Sequence, residues 1–225
     1  MHLELPKVRL DSFKDFFKHY LMIVLSILTA LGLEAWIEHT HHRHAAETAS
    51  AHIEAEIRSN LEQIHRIREH DFKRMQALEA IRDGLLHDIQ AHLPDAQVLQ
   101  HANARMADGL FLDYRWPVMR HEAWDVAVAN QSAGWIDSER LRRYSTVYAL
   151  QSASTATMTM DLPVVLDGPR MNDAMVDLRS GTIPARDLLH VVNQMASAVN
   201  EAVHNLDGLD RHIQAAMSGH GDSRG

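Results

Sequence analysis

The chain has 225 residues, enough for one domain of roughly 150 to 180 residues and an anchor. Apolar residues make up 46% and charged residues 23%, while 10 Gly and 6 Pro supply too few turns for an all-β fold, so the composition points to helices. The absence of cysteine excludes disulfides, thiolate metal sites and cysteine nucleophiles, and a net charge of −8, carried beyond residue 20 with no basic stripe, argues against a nucleic-acid partner.

In chain order, Ser12-Phe13-Lys14-Asp15 matches a capping box, which predicts a short interfacial helix closing a cytoplasmic or interfacial segment over residues 1–19. From Tyr20 to Ile37 the run YLMIVLSILTALGLEAWI has one ionisable residue, Glu34, and its 18 residues rise about 27 Å against a hydrocarbon core of about 30 Å. Residues 20–37 are therefore read as a transmembrane helix in contact with the lipid bilayer, with a buried core helix as the alternative. Glu34 and Trp36 suit the headgroup level on one side, and Phe13, Phe16, Phe17 and Tyr20 the other. Lys7, Arg9, Lys14 and Lys18 precede the run, whereas only Arg43 lies within the next 20 residues, which places the N-terminus in the cytoplasm and residues 38–217 outside. A cleaved signal peptide is the rival, with Ala30-Leu31-Gly32 as a small-x-small site. The long n-region, and a helical pattern that runs on past Gly32, favour retention as an anchor.

Beyond Ile37 the sequence to Ala91 contains no Pro and one Gly, Gly84. Ile53, Ile57, Leu61, Ile64, Phe72, Met75, Leu78, Leu85 and Ile89 recur with a period of about 3.6, that of a straight helix, two of the intervals spanning two turns. With no linker after Trp36, the membrane helix is expected to run on as a rigid rod of roughly 70 residues, about 105 Å, ended by Leu93-Pro94-Asp95. Asp95 should cap a helix from about Ala96 to Ala107, closed by Asp108-Gly109. Pro117 should open another, ended by Gly134, with Trp124, Ala127 and Val128 on its apolar side. Asp137 caps a helix carrying Leu141, Tyr144, Tyr148 and Met158; after the turn signal Asp167-Gly168-Pro169 a short helix runs to Ser180-Gly181.

Thr182 and Pro184 then begin the last long helix. Its Leu188, Val192, Met195, Val199, Ala202, Leu206, Leu209, Ile213 and Ala216 keep a 4-3-4-3 spacing, the seam of a coiled coil. The favoured partner is the long first helix; the alternative is a seam between subunits of a homo-oligomer. The small, polar residues 218–225 read as a disordered tail. The expected fold is all-α, an N-terminal transmembrane helix continuing into a long helix that packs in an extracytoplasmic helical bundle.

Seventeen histidines are the least ordinary feature, and Glu38, His39, His41, His42 and His44 cluster just past the span. Spacings of three and four on a helix could present two or three of these ligands to zinc, copper or nickel. A solvated, weakly basic collar at the headgroups explains them as well, and is favoured because they spread around the helix. His121-Glu122-Ala123-Trp124-Asp125 is close to the zincin pattern but has Asp where the second His is needed. His70-Asp71 and His87-Asp88 are dipeptides of the kind found in HD phosphohydrolases, and read better as surface residues of the rod. No P-loop or G-x-G-x-x-G motif occurs, and the G-x-S-x-G match at Gly221-Asp222-Ser223-Arg224-Gly225 falls in the small, polar tail, where no strand-to-helix turn is expected. Trp116, Trp124 and Trp135 could frame a ligand pocket, though core anchors are the commoner role.

The run Ile27-Leu28-Thr29-Ala30-Leu31, then Trp36-Ile37-Glu38, Ala55-Glu56-Ile57 and Asn60, resembles the start of an uncharacterised family of bacterial single-pass membrane proteins. Ala123-Trp124 with Leu141 and Tyr148 is similar to a second pattern of that family. The resemblance implies a bacterial inner membrane and a long helix behind the span, and supplies no catalytic residues. The expectation is a non-enzymatic accessory, scaffold or sensory subunit with a membrane or envelope protein partner and no cofactor. A metal-binding or metal-sensing protein, and a membrane-tethered hydrolase, are the rivals.

Overall fold

The computed structural model describes residues 13–106, 110, 112–165 and 168–219, and among these it is all-helical. Helix α1, Phe13–Gln90, runs 78 residues, or about 117 Å. It exceeds the expected rod because the interfacial helix, the apolar run and the rod are one element. Ser12 of the expected capping box lies outside the described residues. The helix ends as its sequence indicates. His92 takes the left-handed conformation (φ 56°), and the Leu93 N–H donates to the Asp88 carbonyl (3.2 Å) and the His92 N–H to that of Ile89 (3.0 Å), a Schellman closure followed by Pro94.

Helix α2 spans Asp95–Arg105, with Pro94 at its N-cap, so Asp95 does not cap it. Its carboxylate instead accepts the Ala185 N–H (3.5 Å) at the start of the last helix. Asp108-Gly109, the expected stop, lies outside the described residues. Pro117 does not open a helix. Residues 112–121 run without regular structure, α3 is only Glu122–Ala129, and a 3₁₀ turn follows at Ser132–Trp135. Within α3, Ala127 is buried as expected but Val128 is exposed. Helix α4, Ser138–Val165, is capped by Asp137, whose Oδ1 accepts the N–H groups of Glu139 (3.1 Å) and Arg140 (3.2 Å).

Helix α5, Gly168–Ser180, stops where the sequence indicates, because Gly181 (φ 72°) supplies a left-handed turn closed by the Thr182 N–H on the Asp177 carbonyl (2.9 Å). Helix α6, Ala185–Ser218, has Pro184 at its N-cap and the left-handed Gly219 at its C-cap. Ser218 of the expected tail is therefore helical, and residues 220–225 lie outside the described part.

Helix α6 runs antiparallel along α1, and the two enclose two cores. Near the end of α1, Leu78, Ile81 and Leu85 pack with α2, α5 and the first half of α6, Leu188 to Val199. Nearer the apolar run, Ala46 to Ile64 packs with α3, α4 and the second half of α6, Leu206 to Ile213. Between them, Arg68 pairs with Asp207 and His65 with Asp210 (2.9 Å) across the two helices. The seam residues Leu188, Val192, Met195, Val199, Leu206, Leu209 and Ile213 are all buried within one chain. Val191, Ala196 and Val203 are buried beside them, a stripe wider than a two-helix seam because α6 faces both α1 and α4. On α1 the expected stripe holds at Ile53, Ile57, Ile64, Leu78 and Leu85, but Phe72 is exposed while Asn60, Asp71 and Asp88 are buried.

The apolar run packs on nothing. Its 18-residue window has a mean hydropathy of 1.9 with none of it buried, and thirteen large apolar side chains from Phe16 to Ile37 are 45–65% exposed. The buried-core alternative is thereby overturned, and the helix is long and apolar enough to cross a membrane.

Candidate functional site

The polar residues buried on α1 explain how an irregular segment can lie against a helix. Asn60 brackets Arg120: its Nδ2 donates to the Arg120 carbonyl (2.8 Å) and its Oδ1 accepts the Arg120 N–H (3.0 Å). Nδ2 also donates to Oε1 of Gln151 on α4 (3.1 Å). Three turns further along α1, the Asp71 carboxylate accepts the Arg115 N–H (3.0 and 3.3 Å) and sits 3.0 Å from Nδ1 of His70. Burial pushes the Asp71 carboxyl up, opposed by these hydrogen bonds. Glu56 accepts both the Ala123 N–H at the start of α3 (3.0 Å) and the Tyr148 hydroxyl (2.6 Å), and Glu54 accepts the Tyr144 hydroxyl (2.6 Å). Burial, then the bond to Glu54, pushes the Tyr144 hydroxyl up to about 12, and burial with Glu56 pushes that of Tyr148 further.

The segment so fastened walls a cleft of about 740 Å³ with Trp116, Met119, Trp124, Tyr148 and Gln151 among its lining. The rings of Trp124 and Tyr148 stack at 5.3 Å. Nε1 of Trp116 and Nε2 of Gln151 are buried without a hydrogen-bond partner among the described residues. The cleft thus has the volume of a small-molecule site, and two residues of its wall each carry a shielded nitrogen without a partner among the described residues. Of the three tryptophans singled out by sequence, Trp116 and Trp124 meet here; Trp135 does not.

Trp135 lies at a second groove, about 330 Å³, beside the histidine collar. It is 51% exposed, and the His42 ring stacks on it at 3.5 Å and 9°. His39 and His42 line this groove with Arg43, Glu47, Asp137 and Arg140, while Glu38, His41 and His44 are exposed and take no part in it. The collar is therefore divided. Among the described residues no group of three or more His, Asp or Glu is placed to hold a metal ion. Tyr20, Glu34 and Trp36 are all exposed on the apolar run, with Tyr20 stacked on Phe16.

The remaining motifs serve the fold. His121 Nδ1 meets the Asp125 carboxylate at 2.6 Å, which raises the His121 pKa. Asp71 and Asp88, expected at the surface of the rod, are buried. Asp88 holds His101 (2.9 Å) and Arg105 (3.4 Å) of α2, and these partners, His101 first, hold its carboxyl below the usual range. Sequence reasoning missed Gln151 and Arg140, and named Glu56 and Asn60 only within the family resemblance, without a role. For Asn60 a signal existed: an amide standing one residue from Leu61 in an otherwise apolar stripe. No protein-family model, curated protein or solved structure matches the chain.

Proposed function

We propose that the chain is a non-enzymatic, single-pass protein of a bacterial inner membrane, with its N-terminus in the cytoplasm and its helical domain outside. It would serve an envelope complex as an accessory, scaffold or sensory subunit. The observation that carries this reading is the continuity of α1. One unbroken helix contains the exposed apolar run and one wall of both cores. Thirteen large apolar side chains left in water would forgo on the order of 20 kcal/mol of burial, more than the whole stability of an ordinary domain; a bilayer removes that cost. Because no hinge separates span from domain, a tilt or rotation of one is imposed on the other. The basic residues ahead of the span support the orientation, and the resemblance around residues 27–38 and 55–60 supports the compartment.

A reporter active only outside the cytoplasm, fused after Gly225, is expected to be active, and the protein to stay in membranes through alkaline carbonate washing. Cytoplasmic reporter activity overturns the orientation. A mature N-terminus at Leu33 overturns the anchor in favour of a signal peptide.

A further inference from the structure

The groove beside Trp135 has a fixed height on α1. Taking Ile37 as the last residue in hydrocarbon, His39 stands about 3 Å beyond it, His42 about 7.5 Å and Arg43 about 9 Å along the axis. A headgroup layer is about 5 to 8 Å deep on each side of the bilayer. The lower end of the groove thus opens within that layer, and its upper end, at Glu47 and Ser50, clears it. Two groups in this groove are open to a ligand. Trp135, an indole at the end of a 3₁₀ turn, is half exposed although a core lies one residue away at Ile136. Arg140 lines the groove without an ion pair among the described residues, whereas Arg43 is matched by Glu47 (3.8 Å) and Asp137 is engaged in capping α4.

We infer that this groove is a phospholipid site: Arg140 and the His39 imidazole take the phosphate of one outer-leaflet headgroup, and the Trp135–His42 stack lies along the glycerol and upper acyl chain. An indole at headgroup level and an exposed guanidinium with no direct ion pair among the described residues are the two groups that such a position calls for. The bound lipid would fasten the domain to the bilayer at a second point, α4, in addition to the span, and fix its rotation about α1. This inference rests on the membrane reading above.

The test uses the full chain in phosphatidylcholine nanodiscs containing a lipid with a nitroxide either on the headgroup or deep on the acyl chain. Emission of Trp135 is taken as the difference between wild type and Trp135→Phe, and that of Trp36 likewise from Trp36→Phe. Trp135 is expected to be quenched several-fold more by the headgroup nitroxide than by the deep one. After mild detergent exchange, native mass spectrometry should show one phospholipid retained per chain, lost in Arg140→Gln with Trp135→Ala. If Trp36 is quenched and Trp135 is not, the inference fails and the anchor stands; if neither is quenched, the anchor itself fails. Millimolar inorganic phosphate displacing the retained lipid would make the groove a site for soluble anions and overturn the lipid assignment.

Discussion

Replacing Asn60 by Leu tests whether a single buried amide holds the irregular segment against α1. The side chain is fully buried and makes three hydrogen bonds, to the N–H and carbonyl of Arg120 and to Gln151. Leucine keeps the branched outline and the number of side-chain heavy atoms but is somewhat larger, so the change removes the bonds and leaves no cavity. It strands Gln151 completely, since the Nε2 of that residue already lacks a partner. An unsatisfied buried group costs about 1–3 kcal/mol, but the Arg120 backbone can regain water if the segment lifts, so about 2–5 kcal/mol is expected in all. Chemical denaturation of the full chain in detergent, followed by circular dichroism, measures the loss, and hydrogen exchange at the Arg120 amide shows where it occurs. Val118→Ser, on the same segment but 76% exposed, is the control and should change stability by less than about 0.5 kcal/mol. A loss below about 1 kcal/mol with the Arg120 amide still protected would refute the fastening role of Asn60.

Three further outcomes are expected. Leu206→Asp removes a fully buried side chain worth about 1.5–3 kcal/mol and sets a carboxylate in an apolar seam, so cooperative melting should be lost. If the variant instead stays helical and cooperative while its mass by light scattering falls to one chain, the seam joins subunits. Gly84→Ala should stabilise by up to about 1 kcal/mol through helix propensity. The added Cβ would come within 2.6 Å of the Arg105 guanidinium, the far end of a flexible chain whose bond to Asp88 is already long at 3.4 Å, so a destabilised variant would show that Arg105 cannot move. The Tyr144 hydroxyl should titrate late by phenolate absorbance. With its folded pKa raised to about 12 from 10.0, the stability it contributes is complete below pH 10 and lost as pH rises toward 12. Ionisation of Tyr144 near pH 10 in the folded chain would contradict the burial of its hydroxyl and, with it, the bond to Glu54.

The elements most legible in the sequence are those set by local chemistry. The apolar run, the uninterrupted α1, the Asp137 cap, the Gly181 stop and the seam of α6 each follow from periodicity or from one residue's backbone preference, and each lies where the pattern places it. Pro117 misled because a proline that suits the first turn of a helix suits an extended segment equally, and tertiary hydrogen bonds from Asn60 and Asp71 decided between them. The same bonds explain why Phe72 points outward: on that turn of α1 the buried position belongs to Asp71, whose acceptors satisfy backbone that no helix ladder reaches. The division of the tryptophans, and of the histidine collar, depended on where α3, the 3₁₀ turn and α4 come to rest on α1. Sequence by itself determined what is periodic along one helix. Only the tertiary structure decided which polar groups are buried and which aromatics share a cavity, because those depend on partners that stand 13 to 92 residues along the chain from the α1 side chains they meet.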